Sequence, residues 1–282
     1  MDARNYYDQL TEAYCTYGHN RAFHYALWDA DVHDWDAALD RSGELLVVNL
    51  SLSSEKEILD IGCGIGGFAV YCAKNFGIRV TGITTVEKHV GMACERAKKN
   101  GVEELCRFLV MDMDRMEEIP DKSYDLVVNQ ESFCYVLNKN SYLRQVLRIL
   151  KPDGVWSAII FSRVDRPFNK IERKLYDNVR KGFHIPEIWS GEKTDKTLSE
   201  IGFVHIRIQD ITTITRPASK KMIRHCRAPL LAAKLGLAQW FFRNAPGSPE
   251  NYVGHFSAGN AYSKGLLKGC FKHNLIRARK MP

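Results

Sequence analysis

Between residues 57 and 162, short apolar runs bounded by Gly or Asp (EILDIG, IRVTGI, CRFLVMD, YDLVVN, GVWSAII) alternate with helical patterns (GFAVYCAKNF, VEKHVGMACERAKKN, SYLRQVLRIL). Strands separated by a helix's length of chain cannot pair as hairpins, so the alternation points to βα units feeding a parallel sheet. The expectation is an open α/β sheet with helices on both faces. Pro152, Asp153 and Gly154 are expected to close the helix before the fifth strand, because Pro cannot continue a helix and Gly supplies turn freedom. GFVHIRIQDI reads as a sixth strand and FKHNLIRARK as a last one, whose alternation from Asn274 to Arg279 suits a sheet edge. Ahead of the sheet, Tyr6, Tyr7, Leu10, Tyr14 and Tyr17 recur at three- and four-residue spacing, which marks one face of a helix. The chain therefore divides into an N-terminal helical cap, 1–52, and an α/β domain, 53–282. A substrate-facing insert, about 211–268, interrupts the domain before its last strand, with an amphipathic helix expected around Leu230 to Phe242.

The composition, 45% apolar and 26% charged over 282 residues, is that of a globular chain and excludes a disordered one. No run approaches the ~20 apolar residues of a membrane-spanning helix, and MDARNYYDQLTEAY has neither the basic nor the apolar region of a signal peptide. A cytoplasmic protein is expected. The eight cysteines include no C-x-x-C pair and read as free thiols, with no metal site. The net charge of +7 is unevenly spread: 17 basic and 24 acidic residues fall in 1–162, against 23 and 9 in 163–282. From Ile211 to Ser248 there are seven Lys or Arg and no carboxylate, a field that attracts an anionic partner unless it is simply a solvated face.

The sharpest local signal is Leu59-Asp60-Ile61-Gly62-Cys63-Gly64-Ile65-Gly66-Gly67, a glycine loop between a strand and a helix. Glycines there allow a tight turn and let a ligand approach the backbone where open α/β sheets bind nucleotides. Asp60 decides between ligand classes. A carboxylate two positions before the first glycine would repel a pyrophosphate, whereas it could receive the ammonium of S-adenosylmethionine. Asp112, at the end of the third strand, can accept from an adenine amino group. Both acids as mere helix caps is the weaker reading. A nicotinamide enzyme is disfavoured because no acid stands at position 84, where the dinucleotide fingerprint wants one.

These residues resemble those of class I S-adenosylmethionine-dependent methyltransferases: EILDIGCGIGG matches the first motif, and IPDKSYDLVVNQESF with VLRILKPDGVW the stretch around the fourth and fifth strands. Tyr14 to Ala26, YCTYGHNRAFHYA, preceded by Tyr6-Tyr7-Asp8, resembles the aromatic segment of the sterol C-24 methyltransferase branch, which acts on small molecules and isoprenoids. The resemblance implies a Rossmann-like, doubly wound, mostly parallel seven-stranded sheet. It further implies that Tyr7, Asp60, Gly62, Gly64, Gly66, Asp112, Met113 and Gln130 hold the cofactor. The second strand ends in Thr84 and Thr85 where the family often has a ribose-binding carboxylate, so those hydroxyls, or Glu87, take that role.

For carbon methylation of an isoprenoid, a prenyl diphosphate or a sterol-like molecule, a carbocation must be faced by aromatic rings and relieved by a base. Glu131, just past the fourth strand, is the candidate base, with His24 and Tyr17 as further catalytic candidates. Methylation of nitrogen or oxygen on a small natural product is the alternative. Of a different class is a basic module that binds a membrane surface or RNA on the same scaffold. No RNA-recognition motif accompanies the charge, so a nucleic-acid partner is not expected, and peripheral membrane contact stays open.

Overall fold

The computed structural model describes residues 3–17, 22–245 and 247–282; for residue 3 and residues 12–17 the description is of the backbone alone. Tyr14 and the catalytic candidate Tyr17 thus lie outside the described side chains. Two helices come first, α1 (Ala3–Tyr17) and α2 (Trp35–Val47), the second capped by Asp34, which accepts from the Ala37 amide. Then follow β1 (Glu57–Ile61), α3 (Gly67–Phe76), β2 (Arg79–Thr84), α4 (Glu87–Lys99), β3 (Cys106–Val110), β4 (Tyr124–Gln130), α5 (Lys139–Ile149) and β5 (Leu150–Arg163). The chain closes with α6 (Lys170–Gly182), α7 (Gly191–Ile201), β6 (Phe203–Asp210), α8 (Thr212–His225), α9 (Arg227–Lys234), α10 (Ala238–Phe241), α11 (Pro249–Lys268) and β7 (Phe271–Lys280).

The seven strands form one sheet in the order β3-β2-β1-β4-β5-β7-β6, with β7 antiparallel to both its neighbours. The remaining neighbours are parallel. The apolar runs are continuous rather than alternating because both faces are covered. Ile58, Val80, Leu126 and Val128 meet α2, α3 and α4 on one face, while Leu59, Ile61, Val127 and Trp156 meet α5 and α7 on the other. A third cluster joins α1, α6, α8 and α11 with Phe161 and Phe271. Close approach of α6 and α11 requires Gly182: a Cβ there would stand 2.1 Å from the Gly254 carbonyl oxygen.

Three sequence expectations are corrected. β7 is not an edge strand but lies between β5 and β6. Its alternation misleads because two of its polar side chains are spent on the protein itself: Asn274 donates to Ser162 Oγ at 3.0 Å and Arg277 to the Leu45 carbonyl at 2.6 Å. Leu230 to Phe242 is not one helix, since α9 ends at Lys234 and Gly236 follows at φ +72°. Nor do Pro152-Asp153-Gly154 separate helix from strand. α5 ends at Ile149, Leu150 already pairs with Tyr124, and the three residues bulge from β5 with Asp153 at φ +60°. No helix among the described residues is long and apolar enough to cross a membrane.

Candidate functional site

A cavity of about 740 Å³ opens beyond the carboxyl ends of β1, β2, β4 and β5, walled by α1, the segment 22–26, and α8 to α11. One end is polar and built by strand ends; the other is aromatic and built by the helices.

At the polar end, the amides of Gly62 and Cys63 both donate to the Ile83 carbonyl, at 2.9 and 3.0 Å, which folds the loop after β1 against the end of β2. Gly62 and Gly66 take φ of +77° and +76°, and a Cβ on Gly62 would lie 2.4 Å from that of Ser132. Gly62→Ala is therefore expected to lower stability by about 2–3 kcal/mol, from left-handed strain plus overpacking, as measured by urea unfolding. Gly64, at φ +50°, lines the cavity beneath Phe23.

Asp60 is 1% exposed, lines the same end, and neither carboxylate oxygen has a hydrogen-bond partner among the described residues. Burial pushes its pKa up to about 7. Buried polar atoms are nearly always paired, so an orphaned carboxylate facing a cavity calls for a cationic or hydrogen-donating ligand. Thr84, whose hydroxyl accepts from the Val86 amide at 3.3 Å, and Thr85 complete this wall with Met113. Asp112 and Glu87 are not part of the lining; both are exposed, and Asp112 accepts from the Asp114 amide at 2.9 Å.

The end of β4 is anchored by a buried network. Asn129 donates to Ser132 Oγ at 2.8 Å and accepts from Tyr142 and Trp156, while Ser132 donates to the Ile61 carbonyl at 2.5 Å. Gln130 donates to Ser42 Oγ at 2.5 Å, tying β4 to α2. Between them Glu131 adopts φ +57°, a conformation uncommon for a side-chain-bearing residue, which turns it into the cavity. Its Oε1 accepts from the Tyr25 amide at 2.9 Å and lies 3.2 Å from Nε2 of His273, which is fully buried. His24 also lines the cavity. Its Nδ1 stands 3.1 Å from the Tyr25 carbonyl and 3.3 Å from Ser42 Oγ. Burial lowers the His24 pKa and keeps the ring neutral.

The aromatic end is a lattice of rings. Tyr7 donates to Tyr135 at 3.1 Å and contacts Phe23, while Tyr25 meets Tyr262 edge-on at 5.4 Å and Phe161 stacks on Tyr262 at 4.2 Å. Tyr6 hydrogen-bonds His255 at 2.6 Å; burial holds His255 and His89 near pKa 4, so both are neutral. Lys221, with Nζ 3.6 Å above the Trp35 ring, is the one Lys or Arg lining the cavity among the described residues. Arg224 and Arg227 are exposed and outside it.

The fold thus brings together Tyr7, His24, Asp60, Gly62, Gly64, Thr84, Thr85, Met113, Gln130 and Glu131, with Gly66 supporting the loop from behind against Ala93 and Phe108. Sequence reasoning missed His273, Tyr135 and His255. His273 sits in a run read as an edge strand, and nothing local signals that it faces Glu131 across β5.

Comparison with known proteins gives five findings. The methyltransferase domain family matches residues 59–158. The 27-O-demethylrifamycin SV methyltransferase of Amycolatopsis mediterranei is 30% identical over 200 residues, 70% of this chain and 72% of that one. An S-adenosyl-L-methionine-dependent Diels-Alderase of Talaromyces variabilis is 29% identical over 231 residues, 78% and 77% of the two chains. A sterol 24-C-methyltransferase of Gibberella zeae is 27% identical over 210 residues, 74% of this chain but 54% of that one, so the match spans about half of that relative's length. Among solved structures, a geranyl diphosphate C-methyltransferase of Streptomyces coelicolor A3(2) superposes with a TM-score of 0.70 at 19% identity, covering 100% of both chains, a likeness of fold.

Proposed function

We propose, from the premise that this chain belongs to the class I S-adenosylmethionine-dependent methyltransferase family, that it methylates a carbon of an uncharged isoprenoid-like acceptor, with Glu131 as the base. The observation that carries the reading is the buried carboxylate of Glu131 at the boundary between the polar and aromatic ends of one cavity. The cofactor fits this site on two counts: the orphaned oxygens of Asp60 and the glycine loop that a Cβ would fill. S-adenosylmethionine, when bound, supplies a methyl group on a sulfonium, open to displacement by a nucleophile in line with the carbon–sulfur bond.

The chain's own residues bind, orient and take up a proton. Asp60, ionised, receives the ammonium of the cofactor, Gly62 and Gly64 let the backbone approach it, and Gly66 supports the loop from behind. Thr84 and Thr85 are assigned to the ribose, Met113 to the adenine in place of the exposed Asp112, and Tyr7 and Gln130 to the sulfonium side. The faces of Tyr7, Tyr25 and Phe161 stabilise positive charge on the acceptor through their quadrupoles while the helices above exclude water. Once the alkene pair has formed the new carbon–carbon bond, Glu131 takes the proton from the neighbouring carbon and that C–H pair closes a new double bond. His273, Nε2 3.2 Å from Glu131, acts as a positioning residue. His273→Gln is expected to lower kcat about tenfold while leaving the KM for the cofactor unchanged, as a coupled pair does.

The lining favours an uncharged acceptor over a diphosphate because Lys221 is its lone described Lys or Arg, and a diphosphate calls for a clamp of several. The experiment is incubation with methyl-labelled S-adenosylmethionine and a panel of prenyl alcohols, prenyl diphosphates, sterols and small amines, read by product mass spectrometry. Label on carbon of a neutral isoprenoid supports the reading. Label on nitrogen or oxygen would shift the base to His24, which lines the same cavity, and retire Glu131.

A second reading is favoured by the Diels-Alderase relative, whose name joins the same cofactor to a cyclisation. In that reading the cofactor is a structural ligand and the aromatic end folds a polyene for ring closure. Formation of S-adenosylhomocysteine in step with product separates the two: methyl transfer produces it and cyclisation does not.

A further inference from the structure

We infer that α9 and α10 dock onto a bilayer of anionic phospholipid, laying the roof of the cavity against the membrane surface. Apolar side chains are exposed there in a cluster of sequence: Leu231 lies on α9, Leu235 caps its C-terminus, and Leu237, Trp240 and Phe241 follow on the turn into and along α10. Trp240 is 64% and Leu235 62% exposed, levels a water-facing helix does not need. The same segment carries the carboxylate-free charge: Arg216, Lys220, Arg224, Arg227, Lys234 and Arg243 are exposed, and no ion pair engages any of them among the described residues. Arg243 instead rests on the Trp240 ring, 4.8 Å from its centroid. Exposed Leu and Trp bracketed by unpaired cations are what an interfacial helix presents to headgroups and acyl chains.

Charge selects this occupant over a second copy of the chain. An isologous dimer through α9 and α10 would set the same unpaired cations of both copies against each other, whereas an anionic surface neutralises them. Placement gives the docking a use: Ala228, Pro229, Phe241 and Phe242, from the same two helices and the turn after them, line the cavity. A lipophilic molecule held in the bilayer therefore meets the roof directly. The docking itself does not depend on which reaction follows.

The test is sedimentation with vesicles of phosphatidylcholine alone and of phosphatidylcholine with about 30% phosphatidylserine, at low and high salt, for the intact chain and for Leu235→Glu/Trp240→Glu. Both substituted positions are exposed, and calorimetry with S-adenosylmethionine reports whether the variant keeps its fold. The expected result is about tenfold or greater preference for the anionic vesicles, weakened by salt and lost in the double variant with cofactor affinity unchanged. Equal partition of the intact chain and the variant, no vesicle binding, a dimer that the variant abolishes, or salt-sensitive RNA binding without vesicle binding would each overturn it. Loss of methyl transfer with vesicle binding intact would count against the proposed reaction alone.

Discussion

Glu131→Gln is expected to reduce turnover by about 10²- to 10⁴-fold, the range that a positioned general base contributes, with cofactor affinity unchanged. The substitution separates chemistry from architecture. Glu131 is held at φ +57° and accepts from the Tyr25 amide at 2.9 Å. Glutamine keeps the shape and a carbonyl oxygen for that amide, so the segment from Phe23 to Ala26 stays in place over the cavity; what it removes is the capacity to take a proton. If Glu131 only shaped the cavity, the glutamine variant would turn over at near the original rate, and steady-state kinetics with calorimetry for S-adenosylmethionine distinguishes the cases. The kinetics also speak to the cyclase reading: a pericyclic closure needs no base, so a cyclase would lose little activity on this change.

The parts of this site that local chemistry announces could be found in the sequence; those that depend on strand order could not. Asp60 and Gly62, Gly64 and Gly66 are legible because a strand, a glycine turn and a helix are contiguous, and the need for positive φ restricts the residue type. Glu131 is legible for a similar reason, standing one residue past β4. His273 is different. It reaches Glu131 because β7 enters the sheet antiparallel between β5 and β6, and no local pattern distinguishes that position from an outer one. Asn274 and Arg277 alternate with apolar residues as an exposed edge would, yet their polar groups are taken up by Ser162 and Leu45. The basic segment shows the same limit: its charge is plain in the sequence, but that Arg224 and Arg227 lie outside the cavity while Lys221 lines it follows from helix phase and from the junction of α8 and α9 at Cys226.

Asp60→Asn is expected to weaken S-adenosylmethionine binding by about 10- to 100-fold, the worth of a charge-assisted hydrogen bond to the cofactor's ammonium, while making the ligand-free protein more stable above neutral pH. The two effects have one cause. Burial without a partner raises the Asp60 pKa to about 7, against about 3.9 in an unfolded chain. Between those values the unfolded chain has released the proton and the folded one retains it, so the ligand-free fold loses stability as pH rises from about 4 to about 7, by as much as ~4 kcal/mol. Asparagine cannot ionise, and the loss disappears. In the native protein an ammonium beside Asp60 favours the ionised form, so cofactor affinity should climb through pH 6 to 8 and then level off. Calorimetry across that range, paired with thermal unfolding of both proteins without cofactor, reads both effects. A variant with weaker cofactor binding and a lower melting temperature at pH 8 would mean that Asp60 is held by the protein's own groups, and its assignment to the cofactor would fall.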